Sequence, residues 1–182
     1  MKNQDNNTLK ETNDLLNLKE IVEKAEKFDE IETFTLNNGQ DMQFYPYFSR
    51  SKVKEIIDEY KTYMMSEDKD DKSFMEMVNK DELSIVLFWY FLTIKKFTHF
   101  GESMKRIKKV KSLAPYYNAL LETGLLEEIV NDVFIYDELK KINDMFAREA
   151  AVSASAMEFV EKFDSELNKS RDKFEKAYID KK

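Results

Sequence analysis

The stretch DELSIVLFWYFLTIKKFTHF, Asp81–Phe100, decides the fold. A helix on the surface of a domain is apolar along one stripe only, but the first half of this segment is apolar on nearly every side. That pattern suits a central helix surrounded by others. A buried strand is the competing reading, because Ile85–Phe91 is rich in β-branched and aromatic residues. Length and the polar start at Asp81-Glu82 favour the helix. Composition points the same way. Three Gly and two Pro in 182 residues are too few for the turns of a many-stranded sandwich or barrel, whereas 42% hydrophobic residues suffice for a packed core.

Towards the N-terminus, Ser49 or Ser51 caps a helix whose Val53, Ile56, Ile57, Tyr60 and Met64 recur at helical spacing, ending near Met65. SEDKDDK, Ser66–Lys72, has no apolar residue and reads as a solvated loop. Before that helix, Ile31–Leu36 and Met42–Phe48 are aromatic and β-branched runs joined by Asn37-Asn38-Gly39-Gln40, the signature of a tight hairpin. Pro46 removes a ladder donor and closes the second strand. Leu15, Leu18, Val22, Ala25 and Phe28 mark an amphipathic helix capped by Asn13 or Asp14. Residues 1–12 are polar and read as a flexible N-terminus.

Beyond Phe100, Gly101 breaks the pattern. A basic run follows, and then Ser112–Gly124 reads as a short helix stopped by Gly124. Leu125, Leu126, Ile129, Val130, Val133 and Phe134 form another apolar face, and Asp137 caps a helix carrying Leu139, Ile142, Met145 and Phe146. From Ala147 to Tyr178 one amphipathic pattern runs without Pro or Gly, with Val152, Ala156, Phe159, Val160, Phe163, Leu167, Phe174 and Tyr178 on its stripe. A helix of about 30 residues spans about 45 Å, longer than a compact domain of this size covers, so part of it projects or finds a partner. The expected architecture is mainly α: a helical domain over 13–146 with one small N-terminal β-hairpin at about 31–48, and a long C-terminal amphipathic helix as an extension over 147–182. Phe159, Phe163, Leu167 and Phe174 are candidate protein-binding residues, open to a partner or to self-association. Tyr45, Tyr47 and Phe48 beside the hairpin are the alternative surface.

Chemistry is excluded more readily than assigned. There is no Cys and one His, so neither a thiol nucleophile nor a poly-His site exists. His99 has no Gly-x-Ser-x-Gly elbow or Ser-x-x-Lys motif to serve, and reads as a structural imidazole. The three glycines are isolated, so no phosphate-binding loop forms. Asp68, Asp70 and Asp71 lack the Gly and distal Glu of a calcium loop. No cofactor or metal and no catalysis is expected. With 36 acidic and 29 basic residues the net charge is −7, which disfavours nucleic acid and anionic membrane as partners. No apolar run is long enough to span a membrane and residues 1–10 show no signal core, so a cytoplasmic protein is expected. One local exception stands out. Lys95, Lys96, Lys105, Arg106, Lys108, Lys109 and Lys111 face the single acid Glu102 within 95–111, either as an electrostatic docking patch or as a solvated linker that neutralises the chain's own acids.

In this order of elements the chain resembles the tail-assembly chaperones of long-tailed bacteriophages and prophages of low-GC Gram-positive bacteria. Members of that family place a charged N-terminal segment before an extended pair with an aromatic or Pro-containing step and a Ser-initiated acidic helix. The corresponding pieces are Leu15–Phe28, Ile31–Phe48 with YPYFSRS at Tyr45–Ser51, and KVKEIIDEY at Lys52–Tyr60. A polar linker and further helices match Ser66–Lys72 and Asp81–Phe134. The likeness covers about Leu15–Phe146 and has no diagnostic motif. This chain is longer than many members, and Ala147–Lys182 has no counterpart. The resemblance implies a non-enzymatic protein of the host cytoplasm that binds tape-measure and tail-tube proteins during tail growth and does not remain in the finished particle. A second class of function stays open: a phage or mobile-element regulator that inhibits a host nucleic-acid enzyme through its acidic surface, or that binds RNA through 95–111.

Overall fold

A computed structural model describes residues 17–149 and confirms the mainly helical fold with one two-stranded antiparallel hairpin. Helix α1 (Leu18–Glu26) opens on Asn17, whose side chain accepts the Lys19 N–H at 3.0 Å. The expected caps Asn13 and Asp14 lie outside the described residues. After a 3-10 turn at Lys27–Asp29 come β1 (Glu32–Thr35) and β2 (Asp41–Phe44), paired Phe34 to Met42 and Glu32 to Phe44. The turn is a three-residue loop. Gly39 N–H returns to the Leu36 carbonyl and Gly39 alone takes positive φ (79°), so Asn38 stays in ordinary backbone space and the two-residue Asn-Gly form does not occur.

Ser49 caps α2 (Arg50–Met64) by accepting the Lys52 N–H. The expected solvated loop over Ser66–Lys72 is overturned: Asp68 accepts the N–H groups of Asp70 and Asp71 and starts α3 (Lys69–Val78). An acidic first turn favours a helix N-terminus, so the same charges that read as a linker cap a helix whose Phe74, Met75 and Val78 are buried. Asp81 caps α4 (Glu82–Phe97), which settles the helix against the strand reading. Short α5 (Phe100–Met104) turns back from it. A 3-10 turn at Val110–Leu113 leads into α6 (Ala114–Glu122), with Pro115 in its first turn. Gly124, at φ 74°, ends α6 as expected and admits α7 (Leu125–Glu128), which widens into a π turn at Ile129–Val133, where the Phe134 N–H reaches the Ile129 carbonyl. The last helix, α8, occupies 136–149. Asp137 lies in its first turn and does not cap it, because the Ile135 carbonyl takes the first helical bonds.

The core lies around α4, which packs against α2, α3, α6 and α7. Phe88 and Phe91 are fully buried, and Tyr117 meets both edge-on at 5.5 and 5.4 Å between ring centroids. Met42 and Phe44 turn the inner face of the hairpin into this core, and Phe44 approaches Phe134. The expected binding residue Phe48 is corrected here. It is 3% exposed, stacked on Phe97 at 3.9 Å and edge-on to Phe134 at 5.1 Å. Its N–H donates to the buried Glu138 carboxylate at 3.1 Å, so backbone and ring both tie it inward. Phe48 is therefore a core residue. The reason is tertiary: the chain leaving Pro46 must cross the end of α4, and the ring at that crossing fills the space above Phe97.

Candidate functional site

Two surfaces of the body carry the residues singled out by the sequence. The first is a cleft of about 550 Å³ on the outer face of the hairpin, between β2, α2 and the α4–α5 corner. The extended residues at that corner run beside β2: Tyr45 N–H donates to the Phe97 carbonyl, His99 N–H to the Gln43 carbonyl, and Phe44 bridges Thr98. Gly101 makes the corner possible. A Cβ there would collide with the Lys95 backbone carbonyl oxygen. His99 presents Nδ1 to the Gln43 N–H at 3.2 Å, so its ring helps hold strand to corner. Neither an O–H nor an S–H donor stands against it in that bond, and the arrangement is structural.

Lysines fill the cleft, each against a carboxylate of the same chain. Lys95 pairs with Glu59, which also accepts the Tyr63 hydroxyl, and Lys96 pairs with Glu55. Burial, followed by the Glu59 carboxylate beside it, pushes the Tyr63 phenol well above its ordinary value. Lys52 places its ammonium 3.6 Å from the Tyr45 ring centroid and pairs with Asp29. Tyr47 carries the Lys27 ammonium at 4.7 Å. Both tyrosines are half-buried and already face a cation of their own chain, a favourable use of the ring face. The cleft is therefore electrostatically self-satisfied.

The second surface is the basic run after α5. Lys105 pairs with Glu102 at 3.6 Å and Lys109 with Asp68 at 2.5 Å. That contact, together with the N–H groups of Asp71 and Asp70, holds the Asp68 carboxyl below the usual range, and Asp68 in turn raises Lys109. The backbone of Lys111 is fixed too, its N–H donating to the buried Asp71 carboxylate. The side chains of Arg106, Lys108 and Lys111 are exposed and make no ion pair among the described residues. Of the basic run read as a unit, these three remain available, because Lys95 and Lys96 belong to α4 and turn toward α2.

Phe159, Phe163, Leu167 and Phe174 lie outside the described residues. The structure adds surfaces the sequence reading did not isolate. Helix α1 buries none of its side chains, and Leu18 is 74% exposed with Ile21 and Val22 also open. Its amphipathic spacing was legible, but the direction of its apolar face was not. Met64, Met65, Met77, Leu83 and Val86 are exposed where α2 and α3 end and α4 begins. Near the π turn, Tyr136 and Ile135 are exposed beside a smaller groove of about 220 Å³ lined by Tyr90, Val130 and Phe134. Among the described residues, no group of three or more His, Asp or Glu side chains is placed to hold a metal ion, and no helix is long and apolar enough to cross a membrane.

The YomO family's sequence model matches residues 18–180. An SPbeta prophage-derived uncharacterized protein YomO of Bacillus subtilis (strain 168) is 28% identical over 129 residues, which is 71% of each chain. No solved structure matches.

Proposed function

The chain belongs to the YomO family, and from that premise we propose that it is a non-catalytic binding protein of prophage origin, acting as a tail-assembly chaperone that holds tape-measure and tail-tube proteins. The prophage derivation of the Bacillus relative and the order of elements support this reading. The observation that carries it is α1, a nine-residue amphipathic helix that exposes Leu18, Ile21 and Val22 and buries nothing. A helix this short is marginal alone in water, and an outward apolar stripe is the face by which a helix enters a partner's groove. The C-terminal stripe of Phe159, Phe163, Leu167 and Phe174 provides a second such face. His99, engaged with the hairpin backbone, has no catalytic assignment in this reading.

The test is co-purification of the full chain with tape-measure and tube proteins, against a Leu18→Lys, Val22→Lys variant and a chain lacking 164–182. Capture by the full chain and its loss in the variants, with the helical circular-dichroism melt preserved, is the expected result. Failure of the full chain to hold either protein sinks the proposal. The alternative regulator reading rests on Arg106, Lys108 and Lys111. RNA retention that falls steeply with salt and disappears on changing all three to Glu would favour it.

A further inference from the structure

Helix α8 lies in the groove between α2 and α4, where Phe146 packs on Trp89 at 4.1 Å and edge-on to Tyr60 at 6.0 Å between ring centroids. The contacts fix its direction. Glu138 meets Phe48 just before α2 begins, and Glu149 pairs with Lys61 near its end, so α8 runs parallel to α2. Pairing of Glu55 with Lys96, and packing of Tyr60 on Trp89, show that α4 runs the other way. One turn past these contacts the groove walls are Met64, on the same stripe of α2 as Tyr60 and Lys61, and Val86, one turn before Trp89 on α4. Both are exposed, with Leu83 alongside. At this junction the Trp89 indole N–H is buried and has no acceptor among the described residues.

We propose that residues 150–156 of this same chain close that open end. The inward stripe of α8, Ile142, Phe146 and Glu149, continues at helical spacing as Ala150, Val152, Ser153 and Ala156, small or modest side chains that admit close helix approach. Length sets the limit. At 1.5 Å per residue, α2 extends about 6 Å past Tyr60 and α4 about 10 Å past Trp89, whereas Phe159 lies about 20 Å past Phe146 along a continuous helix. Residues 150–156 use up the groove, and Phe159, Phe163, Leu167 and Phe174 stand clear of the body on a lever anchored at Trp89. This goes beyond the functional proposal and does not depend on the partner's identity; it assigns intramolecular burial to the first turns of the C-terminal stripe and docking to the rest.

The absence of cysteine makes a direct test possible. The full chain carrying Val86→Cys and Ala150→Cys is oxidised and read by non-reducing electrophoresis and peptide mass spectrometry. A disulfide within one chain is expected, since facing helical positions in contact meet the Cα separation a disulfide requires. A control pair, Val86→Cys with Phe163→Cys, should form none. A bond only between chains means a second copy fills the groove, and no bond from the first pair, or an intrachain bond in the control, also overturns the proposal. Peroxide footprinting of the unmodified chain supplies a check that needs no variant. Met64 is 47% and Met65 77% exposed in the described structure, and a covered groove should slow Met64 oxidation at least about tenfold relative to Met65. Similar rates overturn the assignment even if the functional proposal survives its own capture test.

Discussion

The buried carboxylate of Asp71, 4% exposed, accepts the backbone N–H of Lys111 at 2.9 Å across 40 residues of sequence. It also takes the Ser66 hydroxyl at 3.1 Å. One side chain from the acidic run thus fixes the point where the basic run enters the core through Val110 and Leu113, both fully buried. Replacing Asp71 with Ala leaves a buried N–H unmatched, at a cost of about 2–3 kcal/mol for a hydrogen bond to a charged acceptor. Urea denaturation should show that loss, with Asp70→Ala, at an exposed neighbour, changing little. Equal effects would mean that the charge of the run matters and its placement does not.

Phe48 and Tyr45 were candidates of one kind in the sequence and are of two kinds in the structure. Phe48→Ala should destabilise the protein by about 3–5 kcal/mol, the cost of losing a buried aromatic and leaving a cavity against Phe97 and Phe134. Tyr45→Ala removes a half-buried ring and the seat of the Lys52 ammonium, and should cost about 1 kcal/mol. Chemical denaturation of both variants checks the ordering, and a reversal would place Phe48 on the surface.

Gly39 and Gly101 need glycine for different reasons. At Gly39 a methyl group meets nothing within 4 Å, so alanine suffers only the positive φ, about 1–2 kcal/mol. At Gly101 the methyl would strike the Lys95 carbonyl, an atom of rigid helix backbone, and the corner must open. Gly101→Ala should therefore lower the melting temperature more than Gly39→Ala, and amide exchange should speed up at Tyr45 and His99, whose N–H groups bond across that corner.

Tyr63 supplies a pH prediction. Its phenol is raised first by burial and then by Glu59, and Tyr60 and Tyr117 are raised by burial as well. Above pH 10 unfolded tyrosines release protons that the folded ones retain, so the unfolded state binds fewer protons and stability falls as pH rises. The contribution is fully present below the unfolded value of about 10 and is lost progressively above it. Tyr63→Phe should flatten the decline in urea midpoint between pH 10 and 11. An unchanged slope would show that Tyr63 titrates normally.

The helical class, the hairpin, the Ser49 and Asp81 caps, and the Gly124 stop were legible in the sequence because each rests on local chemistry: periodicity, a side-chain oxygen for a free N–H, or the lack of a Cβ at positive φ. The amphipathic spacing of α1 was equally local. Only the tertiary structure decided which way that face turns, that SEDKDDK leads into a helix and sends Asp71 inward, and that Lys95 and Lys96 answer Glu59 and Glu55 while Arg106, Lys108 and Lys111 stay in solvent. Phe48 shows the reason. A side chain is core or surface according to what the rest of the chain sets above it, and for Phe48 that is Phe97, Phe134 and Glu138, about 50 to 90 residues further on, whose burial together offsets the entropy of closing such long loops.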